Sequence, residues 1–424
     1  MHRNLLSLSR RSLVGGSLGT ALAAAQLNWP LWMPRLAFAK NNEGGRKGDV
    51  LVCIFLRGGA DGLNIIVPYA EDTYYNARPG LALARPDDAK ADSKNKVLDL
   101  DGFFGLHPAL APLHPFFRGQ QALAVHAAGS PDPTRSHFEA MDYMERGTPG
   151  SVALNTGWIG RHLAALDSTP QGILRAVGWG DSLPLSLRGS VNALALRSII
   201  DYHLQGREEN SAQMATAINT LYAADHSVLR SAAQETQAVM DVVTKINVSS
   251  YKPRPGVTYD PNNDFALALM QTAALIKADV GLEVSAIDLG GWDTHQNQAQ
   301  DQATAISALS NGLAAFATDM SDLLSKVTVV VLSEFGRRVG ENASGGTDHG
   351  HGNMLLLLGG NLINKPVVAR WPGMADDKLD NGDLAVTIDY RDILGEVVSK
   401  RLKNKHLDVV FPGHTLQPVG VIKE

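Results

Sequence analysis

Cysteine is nearly absent: Cys53 is the only one in 424 residues. Disulfides within the chain are therefore impossible, and a zinc site built on thiolates is excluded. Any metal has to be held by histidine, carboxylate or other oxygen ligands. Strong charge of one sign is also missing. The formal net charge is −5, with no basic stripe to attract nucleic acid and no acidic tail to enforce disorder. Internal repeats and low-complexity tracts are lacking too. What is present is length with 44% hydrophobic composition, enough to bury one large core or two modest ones.

The N-terminus reads as an address rather than as fold. SRRSLVGGSLGTALAAAQL, Ser9 to Leu27, sets Arg10 and Arg11 before a moderately apolar run rich in glycine and alanine. AFA at Ala37 to Ala39 offers a small-residue cleavage site. Residues 1–39 are accordingly expected to be a twin-arginine signal peptide, 40–49 a linker, and 50–424 a single α/β domain. This places the product in the periplasm or outside the cell, makes the twin-arginine export machinery a partner, and leaves no stable membrane span after cleavage. The alternative is an uncleaved anchor, since the run is only slightly shorter than a span.

Continuous apolar runs bounded by turn signals predict strands buried on both faces. They are Val50–Leu56, Ala122–Gly129, Leu282–Gly290, Val327–Ser333 and Met354–Gly360. Apolar residues at helical spacing predict helices over Asn263–Ala278, Gln298–Leu324 and Arg391–Leu402. Alternating strands and helices imply a mainly parallel central sheet with helices on both faces. The polar, alanine-rich stretch of about 201–255 is expected to be a helical insertion, and Ala84 to Asn95 an exposed loop.

Chemically able residues gather where these runs end. RGGADGLN follows the first strand, SPDPTRSHFE the second, GGWDTH the third and SEFGRR the fourth. In open parallel sheets ligands bind at the carboxyl ends of strands, so distant clusters would share one crevice. Asp293 and His295, spaced Asp-x-His, can point at one cation or simply open the next helix with an Asx turn. In GTDHGHGN, Asp348, His349 and His351 lie within four positions, with Gly350 and Gly352 letting backbone fold round an ion. A solvated glycine loop is the plain alternative. Asp61 lies in a glycine-rich turn whose amides suit an anion, or which is only a turn. Glu334 follows a very apolar run and needs a partner or a metal; Arg337 and Arg338 are its nearest candidates. Ser136 and Glu139 fit a capping box, while a hydroxyl at a helix N-terminus beside Arg135 and His137 also suits a nucleophile.

LRGGADGLNIIVPY, LHPAL, RSHFEAMDYMERG, GGWDTH, LSEFGRRVGEN and GTDHGHGN occur in this order across nearly the whole mature chain. By these motifs the chain resembles the twin-arginine-exported bacterial family catalogued as domain of unknown function fifteen-oh-one. That family is similar in fold to the alkaline phosphatase and sulfatase superfamily. The resemblance implies a parallel sheet carrying two metal ions at its carboxyl edge. It casts Asp61 as the metal-holding acid after the first strand, and Asp293 with His295 as an Asp/His ligand pair. Asp348 and His349 become the late ligand motif, with His351 as an alternative ligand or acid. It makes Ser136 the first choice of nucleophile and Thr134 the second. Glu334 stands where an Asp-His pair is usual, a departure that bears on the second metal.

The activity so implied is metal-dependent transfer of a phosphoryl or sulfuryl group from an ester to water. Zinc, manganese and calcium all stay open as the ion. Arg135 would neutralise a non-bridging oxygen, and the substrate would be an anionic small molecule or a glycan ester. Two rival readings stand beside it. One is a catalytically silent relative that binds a polyanion, a glycan or a partner protein in the periplasm. The other is a hydrolase acting through metal-bound water without a covalent intermediate.

Overall fold

The computed structural model describes residues 49–166, 174–189, 193–199 and 250–423, with isolated positions between 213 and 242. The signal peptide, the linker up to its last residue and nearly all of the helical insertion lie outside the described residues. Twelve strands are described: β1 Val50–Leu56, β2 Ile66–Val67, β3 Leu98–Asp99, β4 Gly105–Leu106, β5 Ala122–Gly129, β6 Ala176–Trp179, β7 Ala193–Leu196, β8 Val284–Leu289, β9 Val327–Ser333, β10 Asn353–Gly359, β11 Val367–Ala369 and β12 Ile388–Asp389. The main sheet runs β11-β5-β10-β9-β1-β8-β6-β7, with β12 also paired to β5. Strands β2, β4 and β3 form a small separate sheet.

Strand β1 shows why both faces need cover. Val50, Val52, Ile54 and Leu56 point into one apolar core, and Leu51, Cys53 and Phe55 into the other, as the two-residue period of a strand requires. The helices Asp264–Lys277 and Gln298–Asp319 supply Leu269, Leu313 and Phe316 to the first core. Helices Trp158–Ala165 and Tyr390–Glu396 supply Ile159, Leu163, Ile393 and Leu394 to the second. The fold is α/β, with helices on both faces of a mainly parallel sheet. No helix of the described residues is long and apolar enough to cross a membrane.

Three of the five expected strands have the expected bounds, and the other two differ by one or two residues. The long helix stops at Asp319 rather than Leu324. There the Asp319 carboxylate is drawn off by Tyr251, Tyr259 and Lys277. One departure decides where the site forms. β10 runs antiparallel to both β9 and β5, so it starts at the rim where the parallel strands end. GTDHGHGN therefore reaches that rim by preceding its strand, whereas the other clusters reach it by following theirs.

Candidate metal centre

Two of the rim loops lock together before any ligand chemistry enters. The amide of Gly336 donates to the His351 carbonyl, Gly350 to Gly336, and Arg338 to Asp348, each at 2.9 Å. The backbones approach so closely that a Cβ on Gly350 would lie 2.4 Å from the Arg337 carbonyl carbon, and one on Gly336 2.0 Å from the Gly352 oxygen. Glycine is the only residue that fits either place.

Arg337 ties further loops to this ladder from a position that is 1% exposed. Its Nε donates to the Gly59 carbonyl, and one terminal nitrogen donates to Thr347. The other terminal nitrogen reaches the carbonyls of Gly58 and Trp292 and the Asp293 Oδ1 at 2.7 Å. A planar five-donor guanidinium suits this task, and an ammonium would not. Arg337 does not pair with Glu334, as the sequence suggested. Glu334 is satisfied instead by the Gly58 amide, the Ser333 hydroxyl and His137.

Asp293 lies where three imidazoles meet. His295 Nε2 is 3.0 Å and His349 Nε2 3.3 Å from Asp293 Oδ1, and His137 Nε2 is 3.5 Å from Oδ2. The Nε2 atoms of His295 and His349 are 3.0 Å apart. Each ring is held from behind through Nδ1, two by carboxylates and one by a backbone carbonyl. His137 Nδ1 donates to Glu334 Oε1 at 2.8 Å, His295 Nδ1 to Asp348 Oδ1 at 2.9 Å, and His349 Nδ1 to the Arg135 carbonyl at 2.9 Å. Because these partners only accept, Nδ1 carries a proton, and a ring with no second proton turns its Nε2 lone pair forward. His137 Nε2 is buried without a hydrogen-bond partner. Ligand atoms of His137, Asp293 and His349 all lie within 4.8 Å of one another. An unpartnered buried nitrogen, a carboxylate and imidazoles oriented through Nδ1 fit a metal ion.

The electrostatics also favour positive charge here. The hydrogen bond from His137 to Glu334 holds that imidazole above its ordinary value, against the effect of burial. Burial would raise the Asp293 carboxyl, but the hydrogen bond and charge of Arg337 outweigh it and keep the group below its usual range. His295 and Asn342 lower Asp348 in the same way. His349 is lowered, chiefly by burial.

Other expected residues lie elsewhere or act differently. Asp61 is 1% exposed and engaged by Arg78 at 2.5 and 3.1 Å and by Gln298 at 2.6 Å. A buried carboxylate needs a counter-charge, and Arg78 supplies it, so Asp61 does not join the group around Asp293. His351 faces away, with Nδ1 to Asp380 at 2.8 Å and Nε2 to the Ser130 carbonyl at 2.9 Å. Ser136 occupies the N-cap of helix His137–Arg146, but its side chain makes no capping bond. The expected partner Glu139 accepts instead from the Thr134 hydroxyl at 2.7 Å. Arg135 is bound to buried Asp383 through Nε at 2.9 Å and through a terminal nitrogen. Sequence reasoning missed Arg78 altogether and read His137 as a catalytic residue beside the nucleophile, without its place in the group around Asp293. Its placement at a helix start gave no signal of Glu334, 197 residues away.

A family model described as "Protein of unknown function (DUF1501)" matches residues 49–395. No curated protein matches in sequence. Among solved structures, the PsFucS1 sulfatase from Pseudoalteromonas sp. is similar at 13% identity and a TM-score of 0.38, over 89% of this chain and 74% of that one. The C-terminal periplasmic domain of EcEptC from Escherichia coli, in complex with Zn, matches at 10% identity and 0.36, over 91% and 92%. A protein in the alkaline phosphatase superfamily from Vibrio parahaemolyticus matches at 12% and 0.36, over 81% and 66%.

Proposed function

The chain belongs to the DUF1501 family, and we propose that it is an exported metal-dependent hydrolase acting on a phosphate or sulfate ester. The observation that carries the reading is the meeting of His137, Asp293 and His349 within 4.8 Å, at the rim of a mainly parallel sheet. A bound cation there would supply Lewis acidity toward an ester oxygen and stabilise charge on the leaving group.

The chain's own residues fill the remaining roles. Ser136 is the nucleophile, since it directly precedes His137 at the helix start and its hydroxyl spends no hydrogen bond on capping. Thr134 is less suited, because its hydroxyl already donates to Glu139. Arg135, with 38% of its side chain exposed, offers a guanidinium to a non-bridging oxygen once Asp383 releases it. Glu334 keeps the His137 ring turned toward Asp293.

We place the protein in the periplasm or outside the cell, delivered by the twin-arginine machinery and cut after Ala39. Substrates are anionic small molecules or glycan esters. One observation favours the rival of a silent relative that binds polyanions: Asp61, expected to hold a metal, is closed by Arg78. Hydrolysis of aryl phosphate and aryl sulfate esters by native protein and by Ser136→Ala decides between them. Metal-dependent turnover that falls in the variant supports the covalent route, and turnover unchanged in the variant supports attack by metal-bound water. No turnover of any ester by the metal-loaded protein leaves the silent relative.

A further inference from the structure

We infer that the rim takes a single cation of the imidazole-preferring transition-metal class, held by His137, Asp293, His295 and His349, and that no second ion binds beside it. This deepens the hydrolase reading and rests on it only for the presence of a metal.

His295 is the added ligand. Its Nε2 stands 3.0 Å from both Asp293 Oδ1 and His349 Nε2, and its Nδ1 is fixed by Asp348 just as Glu334 fixes His137. Two imidazole nitrogens that face each other at 3.0 Å need a proton or a metal ion shared between their lone pairs, and the nearby carboxylate of Asp293 suits the metal. Arg337 takes Asp293 Oδ1 and leaves Oδ2 toward His137. The donor set is thus three nitrogens and one carboxylate. Calcium takes six to eight oxygen ligands, and magnesium demands a near-octahedral oxygen shell. Imidazole suits zinc, copper, iron and nickel.

The case for one ion is that the other buried acids of the rim are already held by protein donors. Asp61 has both oxygens engaged by Arg78 and Gln298. Glu334 has both engaged by the Gly58 amide, the Ser333 hydroxyl and His137. Asp383 is bound by Arg135 through Oδ2, while its Oδ1 is buried without a hydrogen-bond partner and 3.9 Å from Arg338. Guanidinium groups of Arg78 and Arg135 stand at two of these acids, and among the described residues His137, Asp293 and His349 have ligand atoms that all lie within 4.8 Å of one another, with His295 adjoining them through Asp293 and His349.

The test titrates metal-stripped mature protein with zinc alone, reading stoichiometry by native mass spectrometry and elemental analysis. Cobalt(II) alone then reports the ligand field by its visible spectrum. One equivalent of zinc should bind tightly, calcium should not displace it, and His295→Ala should weaken binding by about 10-fold or more and change the cobalt spectrum. Asp61→Asn, checked for folding by circular dichroism, should still bind one equivalent at native affinity. If that variant does not fold, the stoichiometry of the native chain still decides. Two tight equivalents, preference for calcium, or unchanged affinity in His295→Ala overturns the single-ion inference and leaves the hydrolase reading standing. One equivalent with the predicted His295 dependence, but no ester turnover, upholds the inference while the hydrolase reading fails. No metal bound overturns both.

Discussion

Arg337 holds Asp293 Oδ1 at 2.7 Å from a position that is itself 1% exposed. A surface carboxylate is thus fixed by a buried cation that also binds the carbonyls of Gly58, Gly59, Trp292 and Thr347. Removing that guanidinium leaves several buried carbonyls without donors. Arg337→Met is expected to cost about 3–5 kcal/mol of stability, read as a lowered urea midpoint. Arg337→Lys should recover little of it, because an ammonium lacks the fork that serves these acceptors. Full recovery by lysine would show that charge alone matters.

Asp348 touches the proposed ion only through His295. Its side chain is 58% exposed, so Asp348→Ala should leave the melting temperature nearly unchanged. Metal affinity should nonetheless fall about 10- to 100-fold, as it does when an acceptor behind a ligating histidine is lost. Competition with a chelator measures it, and native affinity in the variant would remove Asp348 from the account.

Gly58 has φ +121°, and a Cβ there would lie 2.6 Å from the Asp293 amide nitrogen. Gly58→Ala is expected to cost about 1–3 kcal/mol in strain and to displace Asp293, lowering metal affinity together with stability. Gly102 also has positive φ, +88°, but nothing lies within 4 Å of its added Cβ. Gly102→Ala should therefore cost stability alone and leave metal affinity intact.

What the sequence made legible follows from how far each signal reaches. Runs such as Val327–Ser333 announce buried strands because five of the seven residues are apolar, whereas the four-residue β6 and β7 offer no such length and went unseen. The rim itself was legible, since clusters at strand ends must converge in a parallel sheet. The partition of its residues was not. Asp348, His349 and His351 look equivalent in sequence, yet the close-packed turn at Gly350 sends His351 to Asp380 and His349 to Asp293. Nor does anything near Asp61 in sequence mark Arg78 as its partner. Pairing of buried charges is settled by packing, and local pattern carries no trace of it.

Three histidines away from the rim set the expected acid response. Burial pushes His107 and His126 down to about 4 and His162 to about 3. In the unfolded chain each protonates near 6.5, so the unfolded state binds more protons between those values. Their stabilisation is complete above about pH 6.5 and drains away as pH falls toward 4, with about 3 kcal/mol at stake for His126. Melting temperature should drop through that window, and His126→Gln should flatten the slope. A melting temperature constant from pH 7 to 4 would contradict this.

The central claim is that His137, Asp293 and His349 face one cation. Crystals of the mature protein grown with zinc, with diffraction collected on either side of the zinc absorption edge, address it directly. The account predicts an anomalous peak bounded by the Nε2 atoms of His137 and His349 and the carboxylate of Asp293. A zinc peak on Asp61 or His351, with none at Asp293, would contradict it.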